Sequence, residues 1–161
     1  MQPATSGSVA LPPSAQQPPL QFSFPEVTGG ELSSEQLRGR ITVIGLITTY
    51  DLPSQAQVRH LGRLAREHVP RLNVALLVLE PPENRELVAL FAGSLSPKLP
   101  VGMADAATTR GEGPFAGLHH VPSVVILDRE GRERFRYLGL LEQDKLDAAV
   151  VDVEKAVGPP K

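Results

Sequence analysis

Apolar positions along this chain fall into distinct patterns, and each pattern predicts a different element. Residues 40–48 (RITVIGLIT) and 73–79 (NVALLVL) are near-continuous apolar runs rich in β-branched side chains, the pattern of strands covered on both faces. Between them Val58, Leu61, Leu64, Ala65 and Val69 recur at helical spacing, which predicts an amphipathic helix over 52–68 that stops before Pro70. A strand, a crossover helix and a strand joined by short loops make a right-handed βαβ unit with parallel strands.

The second half differs in kind. Residues 83–93 (ENRELVALFAG) predict a helix with Leu87, Leu90 and Phe91 facing inward and Gly93 closing it. Residues 94–120 carry four glycines and three prolines and read as loop, with one short strand around 99–103. Residues 123–127 (SVVIL) predict a strand, 128–131 (DREG) a tight reversal, and 132–138 a returning strand that alternates Arg132, Arg134 and Arg136 with Glu133, Phe135 and Tyr137. Leu146, Ala149, Val150, Val153 and Val157 mark a terminal helix ended by Gly158-Pro159-Pro160.

Upstream of the βαβ unit, Phe22 and Phe24 alternate with Gln21 and Ser23. Thr28-Gly29-Gly30 supplies turn chemistry before Glu31-Leu32-Ser33, so a short hairpin is expected. Ser34 is expected to cap a brief helical turn through Leu37 that Gly39 ends. Residues 1–21 hold five prolines among Ser, Gln, Ala and Thr and no charge, the composition of an extended or disordered tether. They lack the basic start and apolar segment of a signal peptide. The expected organisation is a tether over 1–21, one domain over 22–158 and a tail over 159–161.

Composition narrows the function classes. With 161 residues, 41% hydrophobic and 21% charged, the chain has the makeup of one globular domain large enough to fold without staples. Cysteine is absent, which excludes disulfides, thiolate metal sites and any cysteine nucleophile or redox pair. Sixteen basic against eighteen acidic residues give a formal charge of −2, so a nucleic-acid partner is not expected. The longest apolar runs are far below the roughly 20 residues that cross a bilayer.

The element order βαβ, then α, then ββα predicts an α/β protein of thioredoxin-like fold. A central mixed β-sheet is flanked by helices, with the N-terminal hairpin as an extension. Residues 22–64 (FSFPEVTGGELSSEQLRGRITVIGLITTYDLPSQAQVRHLGRL) resemble the opening of the TlpA/ResA-like redoxins of the bacterial envelope. That family shows a Phe-x-Leu-Pro strand, a turn, a Leu-x-Gly-Lys segment and a hydrophobic strand ending in Trp-Cys-x-x-Cys at a helix start. Residues 120–131 (HVPSVVILDREG) are similar to the family's Gly-Val-Pro-Thr-x-x-x-Ile-Asp-x-x-Gly. The resemblance covers roughly residues 22–157. It implies that Pro122 is cis and lies beside the site at the helix start, and that the native setting is periplasmic or envelope-side.

The resemblance fails at the chemistry. It sets Tyr50 at the family's Trp, Asp51 at the attacking Cys and Ser54 at the resolving Cys. Thiol–disulfide exchange needs a thiolate that attacks sulfur, which neither a carboxylate nor a hydroxyl can replace. Asp51 reads first as the N-cap of the 52–68 helix, with Pro53 in its first turn; the alternative is a binding role in the former active-site groove. His60 and His68, eight apart on one helix, miss the i, i+4 spacing of a shared metal. His119 and His120, next to Val121-Pro122, are where His and Asp51 could converge on a metal, although adjacent side chains in extended chain point opposite ways. Ser54 lacks a nucleophile elbow, residues 109–114 are too short and acidic to cradle phosphate, and the Arg132, Arg134, Arg136 row reads as a charged, exposed strand face.

These readings converge on a cysteine-free, redox-inactive module without cofactor or metal. It holds a protein or peptide partner in a groove formed by Tyr50, Asp51, Leu52, Pro53, Ser54, His120, Val121 and Pro122, in the strand-addition mode. The alternatives are a non-thiol enzyme or metal protein using Asp51 with His119 or His120, and a structural domain tethered in an assembly.

Overall fold

A computed structural model describes residues 7–10, as backbone, and residues 18–158. Strands β1 (Gly7–Ala10), β4 (Thr42–Ile47), β5 (Asn73–Val78), β6 (Val101–Met103), β7 (Ser123–Leu127) and β8 (Glu133–Leu138) form one sheet in the order β1-β8-β7-β4-β5-β6. β4 runs parallel to β5, and β5 to β6, while β7 lies antiparallel to β4 and to β8. The sheet is mixed, as the element order predicts. Helices α2 (Leu52–His68), α3 (Arg85–Ser94) and α5 (Gln143–Val157) cover one face. The other face carries α1 (Ser34–Leu37), the hairpin of β2 (Ser23–Pro25) and β3 (Glu31–Ser33), and the segment from 104 to 121, which includes α4 (Ala106–Thr109).

Two-sided cover explains the unbroken apolar runs. Every residue of β4 is buried. Val43 and Ile47 enter the helix-side core with Leu61, Leu64, Leu146 and Val150, while Ile44 and Leu46 enter the opposite core with Phe22, Phe24, Phe115 and Leu118. Phe115 packs at 5.0 Å from Phe22, which in turn stacks on Phe24 at 5.8 Å. Gly45 is the one gap in β4, and α2 fills it: a Cβ there would stand 2.4 Å from Leu61 Cδ1 and 3.3 Å from Leu76 Cδ2.

Three expectations need correction. Ser33, not Ser34, caps α1, accepting from Gln36 N at 3.3 Å, because Ser34 is buried and bonded to Phe22. On α3 the buried positions are Val88 and Ala92, and Phe91 packs half-buried against the same core as expected, while Leu87 and Leu90 stand 62% and 72% exposed. The inward stripe thus runs through Val88, Phe91 and Ala92 instead of the two leucines, and the helix ends at Ser94 rather than Gly93. β8 is half-buried rather than an exposed charged face: Arg134 bonds the buried Asp128 at 2.8 Å, and Arg136 takes both oxygens of Glu133 at 2.7 and 2.9 Å.

The tether expected over 1–21 lies mostly outside the described residues, as does the 159–161 tail. Within it, Gly7–Ala10 departs from the expectation by pairing with β8 (Gly7 opposite Leu138, Ala10 opposite Phe135). A strand edge supplies backbone partners that a low-hydrophobicity segment needs no core to use.

Because α2 sits so close over β4, Gly45→Val overpacks a filled site and should lower stability by about 1–3 kcal/mol. Urea unfolding checks this, and a neutral effect would show that the helix has room to move away.

Candidate functional site

The loop that carries Tyr50 and Asp51 is positioned by strand ends. Leu79 N–H donates to Ile47 O at 2.9 Å, keeping the end of β5 beside that of β4. Across β4, Leu46 pairs with Ser123 at the start of β7. Residues 48–54, 79–84 and 120–122 therefore gather at one end of the sheet, the carboxyl end of the parallel strands where α/β folds place their sites. The Val121–Pro122 bond is cis. Pro122 is buried, and its carbonyl accepts from Gly139 N at 2.8 Å.

Asp51 caps α2. Its backbone is extended (φ −101°, ψ 147°), Oδ1 accepts from Ser54 N at 2.8 Å, the Thr48 hydroxyl donates to Oδ2, and Pro53 occupies the first turn. Burial pushes the Asp51 carboxyl up, but the hydrogen bonds from Thr48 and from the Ser54 amide and hydroxyl outweigh it and hold the group below its ordinary value. Ser54 is fully buried, and its Oγ accepts from Thr48 N at 3.2 Å. A hydroxyl enclosed in this way closes the loop on itself and is not presented as a nucleophile.

A second carboxyl, which sequence reasoning missed, holds the next residue. Glu80 is buried and its Oε2 accepts from both Thr49 N at 2.6 Å and Thr49 Oγ1 at 2.8 Å, while Asn84 Nδ2 bonds Oε1 at 2.7 Å. Its signal in the sequence is position: a charged residue directly after the buried run 73–79 and before Pro81-Pro82. Gln57 was missed too. It is a polar residue on the apolar stripe of α2, and its amide clamps Leu141 through both N–H (2.7 Å) and C=O (3.2 Å).

With Thr48 and Thr49 held, the loop presents Tyr50 and the first residue of α2 presents Leu52, at 71% and 77% exposure. His119 and His120 are both exposed and their rings meet at 4.5 Å, tilted by 31°. They do not diverge as extended neighbours would, because residue 120 begins a bend. Among the described residues no cluster of three or more His, Asp or Glu could hold a metal ion. His60 and His68 lie on α2, as the spacing predicts.

No protein-family model and no curated protein matches the chain. Solved structures do. A DsbF homologue from Corynebacterium diphtheriae superposes with a TM-score of 0.78 at 12% identity, covering 94% of this chain and 96% of that one. A secreted thiol-disulfide isomerase from Corynebacterium glutamicum gives 0.74 at 13%, covering 98% and 96%. A secreted Mycobacterium tuberculosis disulfide oxidoreductase homologous to E. coli DsbE gives 0.65 at 16%, covering 82% and 96%. The chain thus has the fold of the thioredoxin-like redoxins, built without a cysteine.

The lowered Asp51 carboxyl links the cap to acid. A group whose folded pKa lies below its unfolded value stabilises fully above that unfolded value, here 3.8, and the gain is lost as pH falls through the folded value. Asp51→Asn keeps the cap and removes the titration, so its stability gap to the parent should be flat above about pH 5 and close in acid. Asp51→Ala should cost about 0.5–2 kcal/mol at neutral pH. Urea unfolding from acid to neutral pH checks both, and a gap that widens in acid contradicts the assignment.

Proposed function

We propose that this chain is a redox-inactive thioredoxin-like module that binds an extended protein or peptide segment at the end of the sheet formed by residues 50–54 and 120–122. Thiol exchange has no thiol to run on, and the Asp51 carboxyl, held below its ordinary value, is further from the pKa a general base needs at neutral pH. What carries the binding reading is the pair Tyr50 and Leu52. Two large side chains stand exposed, Tyr50 on the loop and Leu52 at the first residue of α2, and their neighbours Thr48, Thr49 and Ser54 are all hydrogen-bonded in place. Rigid aromatic and aliphatic anchors give contact area at low entropic cost.

The partner in this reading is a peptide backbone, with no cofactor and no nucleic acid. Among the described residues no helix is long and apolar enough to cross a membrane. Structural neighbours described as secreted support an exported setting.

A phage-displayed random peptide library selected on the protein tests the groove. Enriched peptides should lose at least tenfold in affinity for Tyr50→Ala/Leu52→Ala, and should shift amide resonances of 50–54 and 120–122. Peptides that bind the double variant equally well overturn the proposal.

The redox-inactive half has its own check. The protein should not accelerate insulin disulfide reduction by dithiothreitol. Positions 51 and 54 stand i, i+3 across the start of α2, a spacing at which a disulfide can close. Asp51→Cys/Ser54→Cys should therefore form a reversible intrachain disulfide, seen as a two-proton mass change. Failure to close it would mean that the loop has left the redoxin geometry.

A further inference from the structure

Without β1 the sheet has five strands, from β8 to β6, and its two edges are covered in unequal ways. At the β6 edge the covering element is built into the core: Val27 N–H donates to Val101 O at 3.0 Å, Glu26 bridges Gly102, and Phe24 and Leu32 pack so tightly on Gly102 that a Cβ there would meet Leu32 Cδ2 at 3.1 Å. At the β8 edge the cover is four residues of backbone, Gly7–Ala10, running antiparallel in the register Gly7–Leu138, Ser8–Tyr137, Val9–Arg136 and Ala10–Phe135. Nine residues separate Ala10 from Leu20, whose N–H is fixed to Gly131 O at 2.9 Å in the reversal between β7 and β8.

Charges that commonly blunt a strand edge are neutralised inside this sheet. Arg134 is spent on Asp128 and Arg136 on Glu133, with Arg136 Nη1 also donating to Ala116 O at 3.0 Å. What remains to select an occupant is the ladder of backbone groups and the absence of charge in the strand that fills it.

We propose that the outer edge of β8 is a strand-docking site for an extended, uncharged segment of small and β-branched residues, and that Gly7–Ala10 is its tethered, displaceable plug. The plug holds the edge because the short connection keeps it at an effective concentration on the order of mM, against which a free segment of the same kind competes only when the plug is withdrawn. This site is separate from the groove at residues 50–54, and neither proposal depends on the other.

Full-length Ser8→Pro/Val9→Pro, which removes two adjacent backbone N–H groups, tests the plug. Strand amides alternate in direction, so alternate amides of 135–138 face β1 and should exchange with deuterium at least tenfold faster in the variant, with the β7-facing ones unchanged. Uniform protection in both proteins overturns the plug. Docking in trans is read by adding Tyr137→Cys to each full-length form. The probe is a synthetic peptide of residues 3–13 with Ser8→Cys, equilibrated with the protein in a glutathione redox buffer. Mixed-disulfide occupancy should be at least fivefold higher with the plug broken, and lower again when the peptide's cysteine replaces Val9 instead. Equal capture in all three cases overturns the docking site.

Discussion

Two carboxyl groups hold consecutive residues at the point where β4 leaves the sheet, and the geometry of the candidate site depends on them. Asp51 takes Thr48 Oγ1 and Ser54 N, and Glu80 takes Thr49 N and Thr49 Oγ1. Hydrogen bonds to a charged acceptor are worth about 1.5–3 kcal/mol each, offset by the cost of taking the acceptor out of water. Their larger effect is directional. With 48 and 49 pinned from opposite partners and 54 tied back to 48, the residues between them have little freedom, and Tyr50 and Leu52 project outward. An exposed hydrophobic side chain on a mobile loop would lose much of its binding energy to ordering; on this loop that cost is already met in folding.

The same end of the sheet owes its position to β4 being buried on both faces. A strand covered on both sides cannot slip register without exchanging its two core sets, here Val43 and Ile47 for Ile44 and Leu46. Gly45 tightens this further by admitting Leu61 of α2 to within contact of the strand. Since α2 begins at the Asp51 cap, the depth to which Leu61 seats against β4 and the height at which the loop stands are parts of one packing decision.

Much of this was legible in the sequence, and the failures have physical causes. The α2 boundaries 52–68 were readable because Asp51, Pro53 and Pro70 mark both ends chemically. The α3 register was not. Apolar residues at 87, 88, 90, 91 and 92 offer two overlapping stripes, and choosing the larger leucines favours the wrong one, because the core takes Val88 and Ala92. Periodicity ranks stripes by hydrophobicity, whereas packing ranks them by fit. Tyr50, Asp51, Ser54 and Pro122 were findable through a motif, but Glu80, Thr49 and Gln57 act through neighbours 31 to 84 positions away. β1 was hidden for a different reason. Composition reports that 7–10 cannot build a core, and it is silent about an open strand edge elsewhere in the chain that asks only for backbone.

An aspartate at the start of α2 does for the fold part of what a thiolate would do there, and nothing of what a thiolate does chemically. The helix N-terminus favours an anion because its first N–H groups lack partners. In a dithiol protein that preference is used to make sulfur reactive. Here it is consumed by a capping contact: the same donors that lower the Asp51 pKa are the ones that fix the carboxyl against Ser54 N and Thr48 Oγ1. Stabilising the anion and making it available are opposed demands. The chain meets the first in full, so the charge at this position serves the shape of the loop, and the side chains left exposed are those of Tyr50 and Leu52 on either side of it.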